Sequence, residues 1–312
     1  MITEAWPPLP LAQWKPTYET LHRYTQVVGK TRLALSPMVN HWWNVALYVT
    51  ARGLTTSPMP VGERTLELEL DFLAHELSFR TSDGALRVHE LSARTVAEFY
   101  ADTRATLREL GVDVPLSDVV CEIPGAKESL SNDHVHRSYD REAVGRWFRA
   151  LTQADALLKE FRAGFTGKVS PVNFYWGSFD LAVTRFSGRP APEREGADPI
   201  TREAYSEEVI SAGFWPGSGP VQEAAFYCYT APEPAGLREV RVRPEAARYE
   251  PALSEFVIPY EAVRSSVSPR RSVLDFLQST YEAAARLGSW DRARLERPLV
   301  RPEHAAAHVP PA

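Results

Sequence analysis

Cysteine is almost absent: Cys121 and Cys228 are alone among 312 residues. Two thiols cannot build a disulfide framework, so a reducing, cytoplasmic setting is expected. Long apolar runs are also missing. None approaches the roughly 18 residues that span a bilayer, so no membrane role is expected. The opening MITEAWPPLPLAQW has neither a basic stretch nor an apolar one, which argues against a secretory signal. Lysine is scarce, at 5 against 30 arginines, a bias ascribed to a GC-rich genome rather than to function. The net charge of -5 leaves no basic footprint for nucleic acid. What the chain does have is 44% hydrophobic residues and 8 Trp, enough for a sizeable core.

Two pairs of segments resemble each other in the same order. SARTVAEFYADTRATLRELG (92–111) parallels SPRRSVLDFLQSTYEAAARLG (268–288), with Val96, Phe99 and Thr103 facing Val273, Phe276 and Thr280. Their apolar positions follow i, i+3, i+4, i+7 spacing, so both are amphipathic helices closed by glycine. GKTRLALSPMVNHWWNVALYVTARG, from Gly29, parallels GKVSPVNFYWGSFDLAVTRFSG, from Gly167. A helical pattern precedes each, over about 17–28 and 141–165. The expected fold is therefore α+β: an internal duplication of a helix, antiparallel sheet and helix unit. The halves are related by a pseudo-two-fold, and their sheets form a saddle or a partly closed barrel with a cleft between them. Strands are expected over 65–73, 76–81 and 85–91, where Leu66, Leu68, Leu70 and Phe72 alternate with acids. In the second half they fall near 178–186, 224–230 and 255–260. Residues 1–112 form the first half, 113–140 a surface linker, 141–297 the second half and 298–312 a disordered tail, all within one integrated domain. An insertion at 187–222, with a helix over 201–212, suits a lid carrying Phe214 and Trp215 at a pocket mouth.

The aromatic clusters His41-Trp42-Trp43 and Phe174-Tyr175-Trp176 occupy equivalent places. They supply either a large aromatic core or the walls of a cleft, and the two are compatible. Asn40 and Asn173 precede them and either orient a ligand or fix the turn after Ser-Pro. Asp180 lies in the apolar run FDLAV, where a carboxylate needs a partner or a shifted pKa. It is the leading acid/base candidate; a structural ion pair or an edge position is the alternative. Arg185 is the nearest cation in sequence, although strand parity sends it to the other face. Tyr260 and Glu261 end the run FVIPY and either reach a pocket rim or cap a strand. The candidate set is thus Asp180 and Glu261 for catalysis. Asn40, His41, Trp43, Asn173, Tyr175, Trp176, Arg185, Trp215 and Tyr260 are the candidates for ligand binding.

His134 and His136 lie two apart with Asp133 and Asp140 nearby, but the segment has the composition of a loop and no third ligand is apparent, so no metal is expected. Gly29-Lys30-Thr31 lacks the earlier glycine of a P-loop, and no Gly-x-Gly-x-x-Gly or Cys-x-x-Cys is present. Cys228, among Phe226, Tyr227 and Tyr229, is most simply a buried strand residue.

The segments HWWNVALYVTARGLTTSPMP, GKVSPVNFYWGSFDLAVTRFSG, TREAYSEEVISAGFWPG and SEFVIPYEAVR, with LDFLQSTYEAAARLGSWDR, resemble the bacterial domain of unknown function 5996 family over about residues 6–295. The resemblance implies a cytoplasmic bacterial protein. It brings no reaction, cofactor or catalytic set with it. The function expected is binding of a small, partly apolar molecule in an aromatic-lined cleft between the halves, with metal-independent acid/base catalysis open. The alternatives are a non-catalytic sensor and an interaction module that uses the Trp-bearing insertion. Cofactor and oligomeric state are left unassigned.

Overall fold

The computed structural model of the chain describes residues 4–298. The first half runs α1 (Leu11–Leu35), a 3-10 turn (Asn40–Val45), β1 (Tyr48–Val49), β2 (Gly53–Thr55), β3 (Met59–Val61), β4 (Arg64–Asp71), β5 (Glu76–Thr81), β6 (Leu86–Glu90) and α2 (Val96–Glu109). The second runs α3 (Arg141–Ala163), β7 (Asn173–Tyr175), β8 (Asp180–Pro190), α4 (Pro199–Ala204), β9 (Glu207–Trp215) and β10 (Ala225–Ala231). It continues with β11 (Arg248–Glu250), β12 (Glu255–Pro259), α5 (Tyr260–Arg264), α6 (Pro269–Leu287) and α7 (Arg292–Leu295).

Local chemistry accounts for several boundaries. Thr95 and Glu98 form a reciprocal capping box at α2. The Asp140 carboxylate accepts the Glu142 and Ala143 amides at the start of α3. Ser268 caps α6, with Pro269 in its first turn. Along β4, Leu66, Leu68 and Leu70 are buried, whereas Glu67 accepts from Thr55 and Glu69 pairs with Arg80. The expected alternation is present, and its polar face is an array of cross-strand charges.

Both sheets are six-stranded and antiparallel. The first has the order β1-β2-β4-β5-β6 with β3 also on β4; the second has β11-β12-β10-β9-β8-β7. Each order is open at both ends, so neither sheet closes into a barrel. Leu47 and Phe174 exchange two backbone hydrogen bonds of 2.9 Å, which join the sheets edge to edge. One apolar core takes residues from α1, α2, α3, α6 and one face of each sheet. Trp147 of α3 lies at its centre, fully buried, with its ring centroid 4.9 Å from that of Phe179, 5.4 Å from Phe72, 6.0 Å from Phe174 and 6.4 Å from Trp14.

Three expectations need correction. Helix α1 continues well past residue 28, because Gly29 is a helical residue against which the Trp176 ring packs; a Cβ there would fall 2.2 Å from that ring. The two aromatic clusters are not in equivalent settings: His41-Trp42-Trp43 lies in a turn with positive φ at His41 and Trp42, whereas Phe174 and Tyr175 lie in β7. Of the expected insertion helix 201–212 only the first turn is helical, as the end of α4; from Glu207 it is β9, an interior strand paired on both sides. Buried on both faces, β9 shows no clean alternation, which is why its pattern passes for a helix. The lid reading fails with it, since Phe214 and Trp215 are buried within the sheet. The connector 113–140 is sewn to both neighbouring helices. Asp133 and His136 carbonyls accept the Ala97 and Val96 amides of α2, and Thr20 and Thr17 hydroxyls of α1 accept the Ser138 and Asp140 amides. Residues 299–312, which hold nearly all of the expected disordered tail, lie outside the described residues. Among the described residues no helix is long and apolar enough to cross a membrane.

Candidate functional site

Alternation divides the second sheet into two unlike faces. Leu181, Val183, Ile210, Ala212, Phe214, Phe226 and Cys228 point into the helix-covered core. Asp180, Thr184, Ser211, Gly213, Tyr227, Tyr229 and Glu255 take the opposite parity. Register brings them together: Gly213 faces Ala182 on one side and Tyr227 on the other, and Tyr175 faces Asp180. A Cβ on Gly213 would lie 2.4 Å from the Tyr227 hydroxyl oxygen. The missing side chain therefore lets the phenol cross β9 and donate to Asp180 Oδ2. Ser178 Oγ donates to Asp180 Oδ1 at 2.5 Å. Around this pair, Asn173 Nδ2 donates to the Tyr175 hydroxyl at 3.0 Å, and the Tyr205 and Tyr229 hydroxyls lie 3.0 Å apart. Trp215 packs edge-on to Tyr227, and Trp43 edge-on to Phe186 farther along β8.

Burial raises the Asp180 pKa above the usual carboxylate range, and the Ser178 and Tyr227 hydrogen bonds oppose that shift without cancelling it. Burial and the neighbouring Asp180 push Glu255 up to about 8. Burial also raises Tyr175, Tyr227 and Tyr229, so these phenols stay neutral and serve as donors. The consequence for stability has a definite sign. The folded state holds protons that the unfolded chain has released, so the Glu255 contribution is complete below its ordinary value of 4.5 and is lost as pH rises through about 8. The stability of the native chain relative to Glu255→Gln is therefore expected to fall between pH 5 and pH 8 in urea titrations. A relative stability that is flat or rises over that range would contradict it.

The family of unknown function DUF5996 matches residues 6–297, nearly the whole chain. The chain belongs to that family. No curated protein and no solved structure matches it.

In this DUF5996 member, the face around Asp180 unites some of the expected residues and leaves others out. Asn173, Tyr175, Asp180 and Trp215 share it. Trp43 joins the adjoining patch of Phe186, Tyr205 and Tyr229. His41 is buried beside that patch, donating from Nδ1 to the Glu203 carbonyl at 3.0 Å, with Nε2 3.6 Å from Glu207. Asn40 is exposed at the start of its turn. Trp176 is a packing residue whose indole donates to the Val45 carbonyl at 2.8 Å. Arg185 lies on the core face, its guanidinium 3.5 Å over the Phe161 ring and 4.3 Å over the Tyr281 ring. Tyr260 is buried and donates to the Pro7 carbonyl at 2.9 Å, while Glu261 is exposed and pairs with Arg264. Helix α5 begins at Tyr260, whose ring packs against Phe214 on the core face of the sheet, opposite Asp180.

Tyr227, Tyr229, Tyr205, Ser178 and Glu255 gather around this candidate site and are not among the residues expected from the sequence. The alternation in Phe226-Tyr227-Cys228-Tyr229 already places both tyrosines on one face, and that signal was available. Elsewhere, a cleft of about 610 Å³ between α1 and the connector is lined by Glu19, Thr20, His136 and Ser138 among others. Beneath it, Asp133 holds the imidazole of His136 at 2.7 Å and Arg23 at 3.0 Å. Among the described residues no three His, Cys, Asp or Glu side chains assemble into a metal-binding group.

Proposed function

We propose that the outer face of the second sheet binds a small, partly apolar molecule where two related halves meet. The repeated order of helix, six strands and helix supports one duplicated unit about a pseudo-two-fold. The observation that carries the functional reading is Asp180, a buried carboxyl on a sheet face with only hydroxyl partners. Aromatic walls with a few convergent polar groups are the usual makeup of a ligand site. Trp43 and the exposed Glu122 come from the first half and the connector, so both parts of the chain contribute to its rim. A buried carboxyl whose pKa is raised by desolvation is a better proton acceptor than an exposed one and can exchange a proton with a ligand. Metal-independent proton transfer at Asp180 is the reaction class this face supports. A non-catalytic receptor is the second reading, favoured by the number of neutral tyrosine hydroxyls. The unpaired thiols of Cys121 and Cys228 support a cytoplasmic location.

Native mass spectrometry of gently purified protein, set against a denatured spectrum, tests the site. An excess mass is expected in the native chain. In Asp180→Asn and Tyr227→Phe it should fall about tenfold in occupancy at limiting ligand, the effect of one lost buried hydrogen bond. Circular dichroism shows whether each variant is folded. A folded native chain with no excess mass, or an excess mass that survives both substitutions, would overturn the assignment.

A further inference from the structure

The partners still missing on this face share one character. Asn173 is fully buried, its amide nitrogen is committed to Tyr175, and its Oδ1 has no donor. Among the described residues no Lys, Arg or His nitrogen lies within 4.0 Å of the carboxylates of Asp180, Glu255 or Glu122. The nearby cations are engaged elsewhere. Arg248 pairs with Glu223 at 3.7 Å, Lys168 pairs with Glu207, and Arg194 lies 3.9 Å over the Tyr205 ring. That last contact is itself a cation seated on the aromatic wall. The stacked Tyr227 and Tyr229 rings, 6.2 Å apart, offer further π faces.

An unsatisfied buried acceptor, carboxylates without counter-ions and tyrosine faces all call for the same complement: a cationic group rich in donors. An ammonium has three donors and no acceptor, and aromatic faces attract it. We infer that the ligand of this face is a protonated amine on an apolar or aromatic body, bound by the Asp180 and Glu255 carboxylates and the free Asn173 oxygen. The inference rests on the site proposed above and names its ligand class.

Isothermal titration of the full chain at about pH 8, where alkylamines remain protonated, decides it. The probes are propylamine and 2-phenylethylamine, each set against the matching neutral alcohol. Each amine is expected to bind about tenfold tighter than its alcohol, and Glu255→Gln or Asp180→Asn to remove about tenfold from the amine alone. Glu255→Gln, on the partly exposed edge strand pair, keeps the test usable where Asp180→Asn unfolds. Alcohols that bind as well as amines, with both lost in Tyr227→Ala, would overturn the amine and leave the site standing. Amines that fail to bind while the native excess mass disappears in Tyr227→Phe would have the same meaning. Amine binding that no substitution on this face alters would overturn the inference and the site together.

Discussion

Asp133→Ala is expected to destabilise the fold by about 3–5 kcal/mol, the cost of breaking a buried ion pair on one side. The Asp133 side chain is almost wholly buried. Its Oδ1 accepts the Val135 and His136 amides at 3.1 and 3.0 Å, and its Oδ2 faces His136 Nδ1 and Arg23 Nε. Burial pushes this carboxyl up, but the His136 and Val135 donors outweigh burial and hold it below the usual range. Its stabilising contribution is therefore complete above the ordinary value of 3.8 and is lost as pH falls through the lower folded value. Removing the carboxylate leaves the buried Arg23 with the Glu19 carbonyl as its remaining hydrogen-bond partner. It also frees the loop whose carbonyls cap α2. Arg23→Met is expected to cost less, because Asp133 keeps two amides and an imidazole. Chemical denaturation of both variants checks the order. A cost below about 1 kcal/mol for Asp133→Ala would mean that water replaces the carboxylate.

Trp147→Ala is the second large effect, about 3–5 kcal/mol for an aromatic ring removed from a closed core. The ring meets Trp14 of α1, Phe72 beyond β4, and Phe174 and Phe179 around β7 and β8. Its void would thus open where both halves contribute, and rigid strands on two sides limit collapse. Guanidinium titration should show a lower midpoint in one shared transition. Two separated transitions, or a loss under about 1.5 kcal/mol, would show that the halves are held together by something other than this cluster.

Much of the scaffold is legible because its elements are half-buried. Helices α2, α3 and α6 and strands β4 and β5 carry a buried apolar face each, so hydrophobic period reveals them. Strand β9 and the continuation of α1 are not legible in this way. Both are buried on more than one side, and burial all round erases the period. The His41-Trp42 turn depends on a backbone conformation that neither residue type signals.

Asp180 stands out in the sequence because a carboxylate in FDLAV breaks the apolar run, and strand parity alone separates it from Arg185. Its chemical neighbours do not stand out. Tyr227 is 47 residues away and reaches Asp180 only because β8, β9 and β10 pair in one particular register across Gly213. Glu255 joins by the pairing of β12 with β10. Glu261 and Tyr260 look equivalent to Glu255 in sequence, each being a polar group at the end of an apolar run, yet α5 begins at Tyr260 and carries them elsewhere. By itself the sequence determined the α+β composition, the long helices flanking each sheet, the strands β4 to β6, and the one carboxyl out of place. Tertiary structure alone decided which hydroxyls and acids gather round that carboxyl. Periodicity records which face of an element is buried, whereas register and strand order, set by packing over long separations, decide what shares that face.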